Sequence, residues 1–296
     1  MKKFVFLLFA VTVSIIVKAQ EIDYGYCPDC WNTDSLGNHR VLLQVNDNNR
    51  LAHVRIDWRR RDENPALKKM ILVDAATNSI VKRIWPLSVN REYADLYFEA
   101  VSGPGLYYLY YMPYKNEGRS NYPKGVYLAA DTTADAAWIK TLPASMDYNT
   151  QVKQIQAIDA FNSYYPMEVI ATKQETAAIL NSHAGQAFLV FPEDRNHSIR
   201  MRHDLPYRWI KKGPQNNFRD TAARGEYFSY QLGVWALKDM ANVQVRFSDL
   251  VAGNGKRIAA AYSSCLPTEG IDYTGKPMKR VLDIPKDKVQ PVWCLL

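Results

Sequence analysis

Between Arg40 and Pro113 the chain is divided into short runs of β-branched, aliphatic and aromatic residues separated by turn-forming clusters. No other feature constrains the fold as strongly. Residues 41–45 lead into Asn46-Asp47-Asn48-Asn49 and then into 51–58, a pattern that predicts a hairpin. Met70-Ile71-Leu72-Val73, a turn at 74–78 and a second run at 80–85 repeat the pattern, and 93–100 follows. Gly103-Pro104-Gly105 then turns the chain into 106–112, which is apolar or aromatic on both faces and is therefore expected to be central or covered. Short strands at this spacing, with turn signals between them, predict a β-sandwich over residues 20–130.

The pattern breaks after residue 130. Thr172-Lys173-Gln174-Glu175 is a capping box, in which the Thr hydroxyl and the Glu carboxylate satisfy free N–H groups of a first helical turn. Ala177 to Leu180 continue that helix, and Gly185 is placed to end it. Val152, Ile155, Ile158 and Phe161 are spaced by three, which favours a helix, whereas Gln154-Ile155-Gln156 favours a strand. That segment stays open, and 131–184 is read as an α-containing connector. From residue 185 strands return. Phe228, Tyr230, Leu232, Val234 and Ala236 have period two, and Val243, Val245 and Phe247 repeat it. Gly253-Asn254-Gly255-Lys256 is a hairpin-type turn, and 258–265, 280–284 and 289–294 supply further strands. The expected fold class is mainly β, with two β-sandwich domains (20–130 and 185–296) joined by the connector. The second is expected to be incomplete, because the chain stops at a strand and would leave an open sheet edge.

Residues 1–19 have the layout of a secretory signal peptide: Lys2 and Lys3, an apolar run over 4–17, and small residues ahead of a cleavage point after Ala19. The apolar run is shorter than the roughly 20 residues that span a bilayer. The expected product is periplasmic or secreted, with no membrane anchor once the signal is cleaved. Losing Lys2, Lys3 and Lys18 reduces the formal charge from +7 to +4. The densest basic run, Arg59-Arg60-Arg61, is met at once by Asp62-Glu63. Nucleic-acid binding needs an uncompensated basic face and is set aside. The 19 Tyr and 7 Trp suit half-buried strands and sugar-facing surfaces alike. In an oxidising compartment Cys27 and Cys30 are a candidate disulfide. Their CxxC spacing lacks the strand–helix context of a redox motif. A four-Cys zinc site would need a second CxxC half, and Cys265 and Cys294 lie 29 apart.

Catalytic patterns are sparse. The sequence has no Gly-x-Ser-x-Gly elbow and no His-Glu-x-x-His, and Gly253-x-Gly255 lacks the third glycine of a dinucleotide loop. His197 and His203 share a segment with Asp194 and Asp204. That grouping reads as solvated loop residues rather than metal ligands, and neither metal nor cofactor is expected. Asp62-Glu63 and Glu193-Asp194 are adjacent carboxylates, but neighbouring arginines lower carboxyl pKa values and oppose a general-acid role. No catalytic residue is assigned. The densest polar–aromatic stretch is 191–210. There Arg200, Arg202, Asp204, Tyr207 and Trp209 are candidate sugar contacts, although the preferred reading is an interdomain seam cemented by Arg–carboxylate forks.

Two stretches, 223–234 (ARGEYFSYQLGV) and 242–250 (NVQVRFSDL), resemble the N-terminal β-sandwich region of glycoside hydrolase family 123. The segments 162–168 and 204–210 look like the longer Bacteroidetes members, which carry an additional leading domain. The resemblance implies a modular β-N-acetylgalactosaminidase-like enzyme acting on N-acetylgalactosamine-containing glycans. In such enzymes the sandwich precedes a TIM-type barrel that carries an adjacent Asp-Glu pair. These motifs are packing patterns, so Arg224, Glu226 and Asp249 are expected to be structural. Nothing after Leu296 could form a barrel of about 250 residues. The resemblance therefore implies the non-catalytic front part of the enzyme, truncated before the barrel. A stand-alone carbohydrate-binding or surface-interaction protein is the alternative.

Overall fold

The structure, a computed structural model, describes residues 22–296. The signal peptide expected over 1–19 lies outside the described residues. Eleven strands and two short helices make the first unit. The strands are β1 (Asp23–Tyr26), β2 (His39–Val45), β3 (Leu51–Ile56), β4 (Met70–Asp74), β5 (Ser79–Val81), β6 (Ile84–Val89), β7 (Ala94–Glu99), β8 (Gly105–Tyr111), β9 (Tyr114–Arg119), β10 (Tyr122–Tyr127) and β11 (Thr150–Ala157); the helices are α1 (Thr33–Leu36) and α2 (Ala136–Ile139). A six-stranded sheet, β1-β11-β2-β8-β4-β5, faces a three-stranded sheet, β3-β7-β6. Alternation explains the packing. Val41, Leu43 and Val45 of β2, and Tyr107, Leu109 and Tyr111 of β8, point inward to meet Ala52, Val54 and Ile56 of β3 and Ala94, Leu96 and Phe98 of β7. β8 is central, between β2 and β4. On its outer face the Arg40 guanidinium lies 4.3 Å from the Tyr108 ring centre and 4.4 Å from that of Trp31.

Two local expectations change. β2 and β3 are not a hairpin, because they lie in different sheets. Both direct their apolar residues into one core, so they face each other across it and residues 46–50 cross between layers. The ambiguous segment at 151–158 is strand β11, antiparallel to β2 and parallel to β1. Its helix-like spacing has a physical cause. The register slips between Val152 and Gln154, a bulge that reverses the pleat, so Val152 and Ile155 both pack on the core although they are three positions apart. The first sandwich therefore continues to Ala157, beyond the boundary expected at residue 130.

The second unit contains α3 (Lys173–Ser182), β12 (Phe188–Asp194), α4 (Tyr207–Lys212), β13 (Ser229–Ala236), β14 (Met240–Val243), β15 (Leu250–Val251), β16 (Arg257–Ile258), β17 (Ser264–Cys265), β18 (Glu269–Ile271), β19 (Pro277–Lys279), β20 (Leu282–Ile284) and β21 (Val289–Leu295). The capping box at α3 is present, with Thr172 accepting from the Glu175 amide and Glu175 accepting from the Thr172 amide. A four-stranded sheet, β12-β13-β21-β17, forms the centre. Leu189, Phe191, Trp235 and Val289 on one face pack with Trp209 of α4 and Ile179 and Leu180 of α3. On the other face Val234, Ala236, Val292 and Cys294 pack with Leu282, Ile284, Val245 and Phe247. The mainly β class holds, but this unit is one sheet covered by helices on one side and by the β14–β20 ribbon on the other. At the C-terminus β21 pairs with β13 along its length, and on its other side β17 covers only Cys294 and Leu295. Among the described residues no helix is long and apolar enough to cross a membrane.

Candidate functional site: the seam between the two β units

The two units meet along 59–61, 90–92, 164–171 and 204–208. Backbone bonds join them first. Ile170 N–H donates to Arg59 O (3.1 Å), Tyr207 N–H to Val169 O (2.7 Å) and Ala171 N–H to Leu205 O (2.8 Å). Arginine forks then lock the contact. Arg59 bonds both oxygens of Glu175 at 2.7 and 2.9 Å, and its guanidinium lies 3.9 Å from the Tyr207 ring centre. The capping carboxylate of α3 therefore also ties the helix to the first sandwich. Burial would raise the Glu175 pKa, but the hydrogen bonds from Arg59 and the Thr172 amide outweigh it and hold the carboxyl below its usual range. Arg91 forks Asp204 at 3.0 and 2.6 Å, and Glu168, itself buried, takes both Arg61 and Arg200.

Arg59 has a left-handed backbone (φ 49°), which sends the three consecutive arginines in different directions. Arg60 turns into the first unit, is almost fully buried between the Trp58 and Tyr111 rings, and forks Asp62 at 2.8 Å. Asp62 is held below its usual range: burial pushes it up, and the hydrogen bonds from Arg60 and Lys68 override that.

A groove of about 590 Å³ opens at this seam, with Ile170, Leu205, Trp235 and Val289 as apolar lining and Arg91, Glu92, Lys173, His203, Asp204 and Asp287 as the polar part. Of the five candidate sugar contacts, only Asp204 lines it, and that carboxylate is already forked by Arg91. Arg200 reaches Glu168 at 3.4 Å and Arg202 reaches Gln290 at 3.4 Å. Tyr207 lies beneath Arg59. Trp209 is enclosed at 1% exposure, stacked on Phe191 at 4.5 Å with its Nε1–H on Glu193, so it has no face to offer a sugar. Asp204, Tyr207 and Trp209 are thus engaged within the protein, whereas Arg200 and Arg202 are exposed.

The adjacent carboxylates separate, Asp62 and Glu63 at a bend and Glu193 and Asp194 across the pleat of β12. Glu63 is exposed while Asp62 is held by Arg60 and Lys68. Glu193 is buried under Arg208, Trp209 and Lys212, and Asp194 takes the His197 ring at 2.8 Å. Ligand atoms of Glu193, Asp194 and His197 lie within 4.8 Å of one another, and Glu193 and Asp194 also accept from these cations and donors. His203 and Asp204 do not join that group; they pair with Lys288 and Arg91. Among the described residues every carboxyl with a displaced pKa (Asp62, Glu117, Asp135, Glu175, Asp194 and Asp272) is displaced downward, the wrong direction for a general acid.

Of the residues expected to be structural, Glu226 accepts from the Ala223 amide at 2.7 Å and pairs with Arg195. Asp249 accepts from the Ala260 amide and from Arg257, pinning the β15–β16 hairpin, and Arg224 is exposed. Sequence reasoning passed over Gln231, which is fully buried. Its amide accepts from Ile199 N–H and donates to Asp194 O and His197 O, fixing the 194–199 loop. Its place on an apolar period-two strand was the available signal. Cys27 and Cys30 are disulfide-bonded.

Fold and seam together define a β-rich module whose two units are joined by backbone bonds and arginine–carboxylate pairs. Residues 29–158 match the family model described as glycoside hydrolase 123, N-terminal domain, so this part of the chain is a glycoside hydrolase-associated N-terminal domain. The match covers the first sandwich apart from β1 and ends just after β11. It does not cover 162–250, where the motif resemblance was drawn. No curated protein and no solved structure matches the chain.

Proposed function

We propose that this chain is the non-catalytic N-terminal part of an exported, β-N-acetylgalactosaminidase-like glycoside hydrolase, acting as a buttress for a catalytic barrel. The observation that carries the reading is the domain match at 29–158. The chemistry of the seam agrees with it, since its carboxylates are engaged by arginines. A further support is the apolar surface of 227–281, where Tyr227, Val251, Tyr262, Ile271, Tyr273 and Val281 are exposed. Apolar groups scattered singly are ordinary, but this many across small ribbons suit a surface that another domain covers. Sequencing the gene past the Leu296 codon tests the reading. A continuing frame that encodes a barrel of roughly 250 residues is expected. An intact stop followed by unrelated sequence in several independent isolates would overturn it. In that event the alternative, a free-standing carbohydrate-binding module presenting exposed rings such as Tyr26, Phe161 and Tyr165, predicts binding on a glycan array.

A further inference from the structure

Cys265 and Cys294 are far apart in sequence but directly opposite in the β17–β21 ladder. Leu266 N–H donates to Trp293 O at 3.0 Å, so Leu266–Trp293 is a hydrogen-bonded pair and the adjacent Cys265–Cys294 is not. The backbone of Cys265 confirms this. Its N–H goes to Glu269 Oε1 (3.0 Å), and its carbonyl accepts from the Thr268 amide and hydroxyl, both at 3.1 Å. In non-hydrogen-bonded antiparallel pairs the Cα atoms approach to about 4.5 Å and the side chains lie closest, within the range of about 4.4–6.8 Å that a disulfide spans. Residues opposite one another in a ladder project from the same face. Both thiols accordingly sit in one apolar cluster with Val234, Ile284 and Val292, at 1% and 0% exposure, with the Cys294 thiol directed at Val292 O. The exposed Cys27–Cys30 link joins near neighbours, whereas this pair would enclose everything from 265 to 294, including the β18–β19 ribbon and β20.

We propose that Cys265 and Cys294 close into a buried cross-strand disulfide that clasps β21 to the ribbon-bearing segment. The oxidant class is a small or protein disulfide. A Cys265 thiolate attacks one sulfur of that disulfide and expels the other as a thiolate, leaving a mixed disulfide on Cys265. The Cys294 thiolate then attacks Cys265 Sγ and expels the second sulfur. The two protons and two electrons lost by the cysteines appear in two new thiols on the oxidant side. Because both groups are enclosed in the finished sheet, the bond forms while the chain folds.

The test is oxidative refolding of residues 22–296 in glutathione disulfide, which does not depend on export or on a downstream barrel. Free thiols are then alkylated in denaturant and the peptides mapped by mass without reduction. The proposal predicts one linked species carrying Cys265 and Cys294, lighter than the two thiol peptides by two hydrogens. Alkylation of both cysteines, or their recovery joined to Cys27 or Cys30, would overturn it. A Cys27→Ser/Cys30→Ser variant should keep the link and lose roughly 10 °C of melting temperature on reduction, as expected for a closed loop of this size. Retention of the same melting temperature after reduction in that variant would also count against the clasp.

Discussion

Gly233 lies in the middle of β13, where a Cβ would sit 2.3 Å from Cη2 and 2.7 Å from Cζ2 of Trp209. The ring has nowhere to retreat. It is stacked within 3° of parallel on Phe191 and its Nε1–H is held by Glu193 at 2.9 Å. Gly233→Ala must therefore shift α4 or force the indole off its position, an overpacking cost of about 1–3 kcal/mol. For a chain of this size that corresponds to a fall in melting temperature of roughly 3–10 °C. Thermal unfolding followed by circular dichroism reads it directly. Coupling supplies the sharper check. Trp209→Ala alone should cost about 3–5 kcal/mol through the cavity it leaves. In that background Gly233→Ala should cost almost nothing, because the atoms it strikes are gone. A melting temperature for Gly233→Ala within 1 °C of the native protein, or equal costs in the two backgrounds, would refute the placement of α4 on the sheet.

Other consequences can be measured in the same way. His39 is buried against Tyr164 and donates through Nε2 to Asn162 O; burial lowers its pKa to about 4 although that hydrogen bond opposes the shift. The unfolded chain binds a proton there near pH 6.5, so stability is full above that pH and lost as pH falls toward 4, by about 2–3 kcal/mol. His39→Gln should flatten that part of the urea-midpoint profile, and an unchanged profile would contradict burial of the neutral ring. Arg59→Ala removes a part-buried fork and strands Glu175, so it should cost about 1–3 kcal/mol and speed amide exchange in the first turn of α3. Exchange equal to that of the native protein would show that the fork does not hold the helix. Glu226→Ala should lower stability by about 1 kcal/mol through loss of the Ala223 amide and Arg195 contacts, and an unchanged melting temperature would refute that role.

The sequence was most readable where the pleat determined the pattern. Strands at 41–45, 94–99 and 105–111 follow from short apolar runs between turn signals, 229–236 follows from alternation, and the capping box located α3. Two misreadings share a cause. Alternation identifies strands without saying which sheet takes each, so β2 and β3 looked like a hairpin, and the bulge in β11 gave a strand the spacing of a helix. The seam was legible as a composition of arginines, acids and aromatics in 191–210. Its partners were not, because Arg59 meets Glu175 across 116 residues and Arg91 meets Asp204 across 113. The pairing of β21 on both sides was equally hidden, since β17 is only two residues long and carries no period of its own.

The central claim is that these residues support chemistry without performing it. Incubating purified 22–296 with a chromogenic β-N-acetylgalactosaminide, beside a full-length family 123 enzyme as positive control, tests it most directly. The account predicts release no faster than in the absence of protein across pH 4–8. Turnover proportional to the amount of this chain, and abolished by Asp204→Asn, would contradict it and make the seam groove an active site.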